Sequence, residues 1–547
     1  MNRKVFFLLL TLVIGVNMTG LLNEIFSMDS SLYAAISKSF AQSHDYINIC
    51  VDGKDWLDKP HFPFWVCGLS IQIFGVNTFA YKFPSICFFL IGLFYTYRLA
   101  KSLYNEETAY LAVLILGSSL HIIVSNNDTR AEAILLGLLT GAVYHLYKIT
   151  DRYKIRDLLL GSLFSAAAIM TKGIFILIVI YSAIWGNLIF KKDSEKLFNR
   201  KWILGFVLTI IFITPELYAL YSQFDLHPEK KVFGSNNISG LRFFLWDSQF
   251  GRFFNTGPIK GESDIFFFFH TILWAVAPWA IIGLTGLIIM FRNILGKNKK
   301  IETLTFFGFI IMFLIFSVSK FQLPHYLNIL IPFLAIIIAS VLSNESQNNK
   351  VAHRIVKISI GLYGIAYIAT MGLIEYCFKS HLSFSAVLPI VASIFLFGIT
   401  YIYDIKLKHK YVVYGTLASI IFVLYLNTGF YPELLKYQAG TQAAFFCNSE
   451  FPSYNLIAKK EEWLLQYYFK NKVSIIDSAD SLTRLNTCND ILIYADDELL
   501  NKLEKTNHKF EILKEFNQFH ITGLTKEFFY YKTRKSVLQK RYLLSIN

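Results

Sequence analysis

About thirteen runs of roughly 20 apolar residues, each long enough to cross a bilayer as a helix, take up most of this chain. In lipid every backbone polar group must be satisfied internally, so such a chain is confined to a bundle of transmembrane helices. Composition agrees. The chain has 547 residues, 54% hydrophobic and only 16% charged, with a mean hydropathy of +0.45. A soluble domain carries about 25% charged residues. The net charge of +14 does not point to nucleic acid. Lysine and arginine cluster in short loops between apolar runs, as the positive-inside rule requires.

The expected fold class is therefore an all-α polytopic membrane protein with a small C-terminal α/β soluble domain. Arg3 and Lys4 precede the first run and no small-residue cleavage site follows it, so the first helix, 4–22, is expected to be retained and to start in the cytoplasm. A long outer loop, 23–78, follows, with two amphipathic segments near 30–42 and 60–75. Further spans are predicted at 79–98, 107–124, 132–149, 157–171, 174–190 and 202–221. After a second outer loop, 222–263, come 264–291, 302–319, 324–342, 358–376, 384–403 and 411–429. Nearly every predicted inner loop is basic (Lys148, Arg152, Lys154 and Arg156; Lys191, Lys192, Lys196, Arg200 and Lys201). One missed helix would invert the pattern downstream.

Composition changes near Gly429. A membrane unit over 1–429 and an outer domain over 430–547 are expected. In the latter, strand-like runs at 473–477 and 490–494 alternate with helix-like runs at 459–468 and 496–505. Of six cysteines, Cys447 and Cys488 fall there, either as a disulfide or as two free thiols. None of the six forms a metal-binding pattern.

The topology gathers ionisable residues from distant segments at outer helix ends: Glu24, Asp29, Asp58, Lys59, Asp128, Arg130, Glu132, Lys172, Arg252 and Lys320. Such groups at a membrane boundary are a functional-site hypothesis by default. A transporter or lipid flippase, the alternative, would place them at mid-depth in broken helices. A non-catalytic scaffold would lack a cavity joining Asp29 to Lys59 and Arg252. Carboxylates suit a general base or a divalent metal, and lysine and arginine suit a phosphate. No Gly-rich phosphate loop follows a strand and no Asp-x-Asp occurs, which favours a lipid-linked phosphate over a soluble nucleotide.

Seven short elements stand in order at matching topological places. They are Asp29-Ser-Ser-Leu-Tyr33, Asp58-Lys59-Pro60, Glu132 opening a helix with Asp128 and Arg130 just before it, and Thr171-Lys172-Gly173. Then come Gln249-Phe-Gly-Arg252, Pro278-Trp279 and Ser319-Lys320…Pro324-His325-Tyr326. In these the chain resembles the GT-C membrane glycosyltransferases of the family 39 type, the branch containing lipid A aminoarabinose transferase and the protein O-mannosyltransferases. Ser30 and Leu32 stand where that family commonly has a second acidic residue and an arginine.

The resemblance implies an inverting glycosyltransferase. Its donor would be a polyprenyl-phosphate sugar, its acceptor lipid A, a protein or a polysaccharide, and its site would be on the periplasmic face of a bacterial inner membrane. Asp29 would be the general base; the competing reading is a helix N-cap. Lys59, Arg252 and Lys320 would bind the donor phosphate, against snorkelling for Lys59. Asp58 would orient Lys59 or, with Asp128, hold a divalent metal, if it is not a solvated loop carboxylate. No cofactor beyond such a metal is expected. Asp128 and Glu132, spaced i, i+4, would share a helical face and position the acceptor or hold Arg130, or mark a polar helix start. Lys172 reads more readily as topological than as part of the site. Tyr33 and Tyr326 would support it, and His325 reads as a core histidine.

Overall fold

The computed structural model describes residues 1–296, 301–345, 350–379, 388, 391–395, 398, 402, 407–476, 490–505 and 510–546. The apolar runs form helices. They begin with α1 (Arg3–Met18), α2 (Met28–Ser43), α3 (Phe62–Phe74), α4 (Thr78–Leu103), α5 (Glu106–Ser118) and α6 (Leu120–Asn127). Next are α7 (Ala131–Asp151), α8 (Ile155–Lys172), α9 (Ile176–Lys191), α10 (Lys201–Phe212) and α11 (Thr214–Leu220). Then follow α12 (Phe267–Ala275), α13 (Ala280–Leu295), α14 (Leu304–Val318), α15 (Ile331–Ser340), α16 (Lys350–Phe378) and α17 (Leu407–Tyr425).

Among the described residues, 5 helices are long and apolar enough to cross a bilayer unbroken, or up to 7 if each of two bent pairs is one span. The bends fall inside runs that read as single spans in the sequence. The 107–124 run breaks by 55° between α5 and α6, and the 202–221 run by 43° between α10 and α11. Pro215 in the first turn of α11 removes a backbone donor there. The 264–291 run is two helices, α12 and α13. The span expected at 384–403 lies largely outside the described residues. The outer loop 222–263 is not without structure: residues 240–254 form a continuous helical stretch.

Of the five long unbroken spans among the described residues, α7 is the most enclosed, packed between α4 and α8. Gly137 permits the approach to α4, since a Cβ there would sit 2.4 Å from the carbonyl oxygen of Phe88. The α7 N-terminus carries Glu132 in its first turn.

The C-terminal α/β domain is as expected in kind. Helix α18 (Ala439–Glu450) precedes a five-stranded sheet of order β4-β3-β5-β7-β6. Its strands are β3 (Asn455–Lys459), β4 (Val473–Ile476), β5 (Ile491–Asp496), β6 (Phe510–Gln518) and β7 (Gln539–Ile546); β1 and β2 are a small hairpin, Cys50–Val51 and Lys54–Asp55, in the first outer loop. Strands β3, β4 and β5 are parallel, while β7 runs antiparallel to β5 and β6. Helices α19 (Trp463–Tyr468) and α20 (Asp497–Lys505) lie between strands. Cys447 is buried; its pairing with Cys488 falls outside the described residues.

This domain is pinned to the first outer loop. The buried ammonium of Lys38 on α2 donates to the carbonyls of Gln466, Tyr467 and Phe469 at 2.7, 3.2 and 2.6 Å, capping the C-terminus of α19. Burial brings the Lys38 pKa down to about 8. Tyr468 Oη accepts from the Ile25 amide at 2.9 Å, and Tyr467 Oη donates to Asn77 O at 2.8 Å. Lys38→Met should strand three carbonyls, destabilising the contact by about 1–3 kcal/mol. Hydrogen exchange of the full-length protein should then show faster exchange in Trp463–Phe469, whereas unchanged protection would mean that Lys38 is not the anchor.

Candidate active site

A cavity opens at one end of the bundle. Its polar lining comes from six separated segments: Asp58 and Lys59 from the first outer loop, Glu132 from the start of α7, Lys172 from the end of α8, Glu216 from α11, Ser248, Gln249 and Arg252 from the 240–254 stretch, and Ser319 and Tyr326 from the turn before α15. The remaining wall is apolar, with Phe175, Phe243, Phe244, Phe316 and Met312 among its residues.

The charges come in pairs. Asp58 Oδ2 accepts from Lys59 Nζ at 2.7 Å, and Asp58 Oδ1 accepts from Arg252 Nη2. Glu132, only 2% exposed, accepts from Lys172 Nζ, with His325 Nε2 at 3.6 Å. The Lys172 ammonium also stands 4.5 Å from the Tyr326 ring centroid, a cation–π distance. So Lys172, which reads as topological in the sequence, belongs to the cavity. Gly173 makes this possible. Its φ of +103° ends α8 abruptly, and a Cβ there would fall 2.2 Å from the amide nitrogen of Gln249. That nitrogen donates to Lys172 O at 3.3 Å and to Ser248 Oγ at 2.9 Å.

Burial lowers the pKa of Lys59 despite the nearby Tyr326 and the charges of Asp29 and Glu132, and burial likewise lowers that of Arg252. Arg252 Nε is buried and has no hydrogen-bond partner among the described residues. A desolvated guanidinium donor left open beside two further cations is what a phosphate oxygen would satisfy.

Asp29 lies at the rim rather than in the lining. Its side chain is 57% exposed and reaches Arg130 Nη1 at 3.6 Å. It does not cap α2: Ser27 is the N-cap, accepting from the Ser30 amide, and Asp29 is in the first turn. Its charge acts on Lys59, Arg252, Tyr326 and the buried Tyr33. Arg130 is shared with Asp128, Nη2 to Oδ2 being 3.3 Å, and its Nη1 meets His325 Nδ1 at 3.0 Å.

Several expectations need correction. Asp128 and Glu132 do not share a helical face, because α6 ends at Asn127 and α7 starts only at Ala131. Asp128 instead holds Arg130 and accepts from the Ser27 amide at 3.1 Å, while Glu132 holds Lys172. Lys320 is exposed and outside the lining. Ser319 is extended (φ −64°, ψ 141°), so the neighbouring side chain points the other way: Ser319 faces in and Lys320 out. A metal at Asp58 or Asp128 does not fit, because each carboxylate is already compensated by basic side chains, and no group of three or more His, Cys, Asp and Glu gathers among the described residues.

One buried pair was not singled out from the sequence. Glu216 accepts from both His61 Nδ1 and the His61 amide at 3.0 Å, and His61 Nε2 lies 2.9 Å from Ile47 O. With an acceptor at each ring nitrogen, His61 is an imidazolium. The signal was there: a lone carboxylate after Thr214-Pro215 in an otherwise apolar run.

The family model for dolichyl-phosphate-mannose-protein mannosyltransferase matches residues 58–218. An uncharacterised protein of Aquifex aeolicus is 25% identical over 426 residues, 76% of each chain. An undecaprenyl phosphate-alpha-4-amino-4-deoxy-L-arabinose arabinosyl transferase of Wigglesworthia glossinidia brevipalpis is 23% identical over 334 residues, 60% of this chain but only 56% of that transferase's length. The crystal structure of ArnT from Cupriavidus metallidurans bound to undecaprenyl phosphate superposes with a TM-score of 0.76 at 15% identity, covering 100% of this chain and 98% of that one. The chain therefore has the GT-C fold, and its sequence is similar to glycosyltransferases of the aminoarabinose-transferase and protein-mannosyltransferase type.

The His61–Glu216 pair makes stability depend on pH. Burial works against the imidazolium, but the Glu216 charge and hydrogen bonds outweigh it and raise the folded-state pKa. The pair's contribution is therefore complete below the unfolded value of about 6.5 and is lost as pH rises through the folded one. The thermal midpoint of the wild type should exceed that of Glu216→Gln at pH 6, and the gap should narrow by pH 9. A constant gap would contradict the assignment.

Proposed function

We propose that this multi-pass membrane protein is an inverting glycosyltransferase moving a hexosyl or pentosyl group from a polyprenyl-phosphate donor to a hydroxyl or phosphate acceptor (lipid A, protein or polysaccharide) at the periplasmic face of a bacterial inner membrane. The observation that carries this reading is the unpartnered Arg252 Nε beside Lys59 and Lys172 in an apolar-walled cavity. On this reading residues 1–429 form the catalytic unit and residues 430–547 the periplasmic domain over it.

The acceptor oxygen attacks the anomeric carbon from the rim while Asp29 takes its proton. The bond from that carbon to the phosphate oxygen breaks on the opposite side, and the phosphate leaves with the electron pair. A phosphodiester carries one negative charge and the departing monoester more. Arg252 offers its open Nε, and Lys59 and Lys172 add charge, so stabilisation grows as the bond breaks. Arg130 holds Asp29 in place. Tyr33, behind Asp29, and Tyr326, under the Lys172 ammonium, support these two ends of the site.

In Asp29→Asn, Arg130 keeps Asp128, so the fold should persist. Turnover of a polyprenyl-phosphate sugar should drop by about 10²–10⁴-fold with donor affinity retained; near-normal turnover would remove Asp29 from the base role. Arg252→Lys keeps a partner for Asp58 but loses the fork. Donor affinity, measured by titration in detergent micelles, should fall roughly tenfold, and an unchanged value would refute the phosphate contact.

A further inference from the structure

We propose that His325 is a positioning residue for the transfer step: its ring accepts from the Arg130 guanidinium and so aims that group at Asp29. The inference rests on the reading of Asp29 as the general base. It gives His325 no contact with donor or acceptor, in keeping with its place outside the cavity lining, which its neighbour Tyr326 joins.

Asp29 is more than half exposed, and the ion pair it makes among the described residues is with Arg130 Nη1 at 3.6 Å. The direction of its carboxylate therefore depends on where the Arg130 guanidinium stands. No helix fixes that. Arg130 precedes α7 with an extended backbone (φ −129°, ψ 176°). Asp128 holds one edge of the group, its Oδ2 lying 3.3 Å from both Nε and Nη2. A single carboxylate oxygen is a pivot, and a planar group on one pivot can swing. His325 closes the other side, with Nδ1 3.0 Å from Nη1. A guanidinium offers donors only and keeps its protons, so Nδ1 is the acceptor. Nη1 carries two hydrogens. With one taken by His325, the second is left for Asp29.

His325 is itself well anchored. It is only 7% exposed and sits on the 3-10 turn Pro324–Ile329, before α15. Residues three apart align on such a turn, so Asn328 shares its face. Asn328 Oδ1 accepts from His121 Nδ1 at 2.7 Å, which ties the turn to α6. With Nδ1 accepting, the proton of the neutral His325 ring is on Nε2, and Nε2 faces Glu132 Oε1 at 3.6 Å. The Glu132 carboxylate thus favours the one tautomer that can receive Arg130. An imidazolium would instead turn a hydrogen of its own on the guanidinium.

The test compares His325→Asn and His325→Gln in the full-length protein in detergent. Turnover is release of undecaprenyl phosphate from undecaprenyl-phosphate mannose or undecaprenyl-phosphate 4-amino-4-deoxy-L-arabinose, whichever the wild type uses, with lipid A as acceptor. Asparagine can put its Oδ1 where Nδ1 stands and accept from Arg130; glutamine carries its amide to the Nε2 position, toward Glu132. Donor affinity should stay within about twofold of wild type in both, as for an uncoupled site. In His325→Gln, kcat should fall about ten- to a hundredfold, the cost of a misplaced reacting group. In His325→Asn it should fall less than about fivefold, since the hydrogen bond is kept. Near-normal turnover in His325→Gln, equal losses in the two variants, or a shifted donor affinity in either overturns the proposal. His325→Gln is also made on Asp29→Asn, where it should change little because no base remains to be aimed. A further fall as large as in the wild type means that His325 acts elsewhere, and only this inference fails. If Asp29→Asn alone is near normal, or the wild type uses neither donor, the underlying reading falls and this inference with it.

Discussion

The cavity end of this bundle is governed by the cost of taking charge out of water. An isolated ionised group in an apolar surround is costly by several kcal/mol even after relaxation, and here Asp58, Glu132 and Glu216 all border a cavity whose walls are largely phenylalanine, isoleucine and leucine. The chain meets the constraint by bringing cations from far away: Arg252 to Asp58 across 194 positions, His61 to Glu216 across 155, and Lys172 to Glu132 across 40. Each pairing ties one helix end to another. The ion pairs are thus part of what sets the positions of α7, α8, α11 and the 240–254 stretch relative to one another at the level where the lining converges.

The same constraint gives the site its asymmetry. Arg252 has an interior donor left without a partner among the described residues, while Asp29 keeps 57% of its side chain in contact with solvent. The buried end is starved of an anion and the exposed end has a carboxylate to spare, held by Arg130 with Asp128 behind it. Under the proposed transfer, negative charge would leave toward the buried end as a proton is drawn off at the exposed one. The stabilising groups are already oriented, which is how electrostatic catalysis avoids reorganisation at the moment of reaction.

Much of this was legible in the sequence, and where legibility stopped has physical reasons. Apolar run length and loop charge brought Lys59, Lys172 and Arg252 to one side of the membrane, because hydropathy constrains depth strongly. They did not say which side chain meets which, since pairing depends on helix rotation and on where spans break. The 107–124 and 202–221 runs read as single spans; the bend after Ser118 puts Asp128 in a turn rather than on the face of Glu132, and the bend near Ile213 sits three residues before Glu216. Lys320 was misplaced for a smaller reason. Depth fixes the segment, but alternation along an extended turn decides which neighbour faces in, and that was Ser319. Strand and helix alternation found the outer domain, yet the helix expected from residue 459 starts only at Trp463, because Lys459 closes β3.

The lysine cap on α19 has a consequence for how this architecture can diversify. Asp29 and Lys38 sit nine residues apart on one helix, a rod of about 13 Å at 1.5 Å per residue, with the first at the cavity rim and the second locked into the outer domain. The outer domain is therefore not an interchangeable module. Grafting it from a relative, or trimming it, would tilt the rod and swing the rim carboxylate with it, so the two halves of the chain are bound to drift together, each new shape above answered by a compensating shift below.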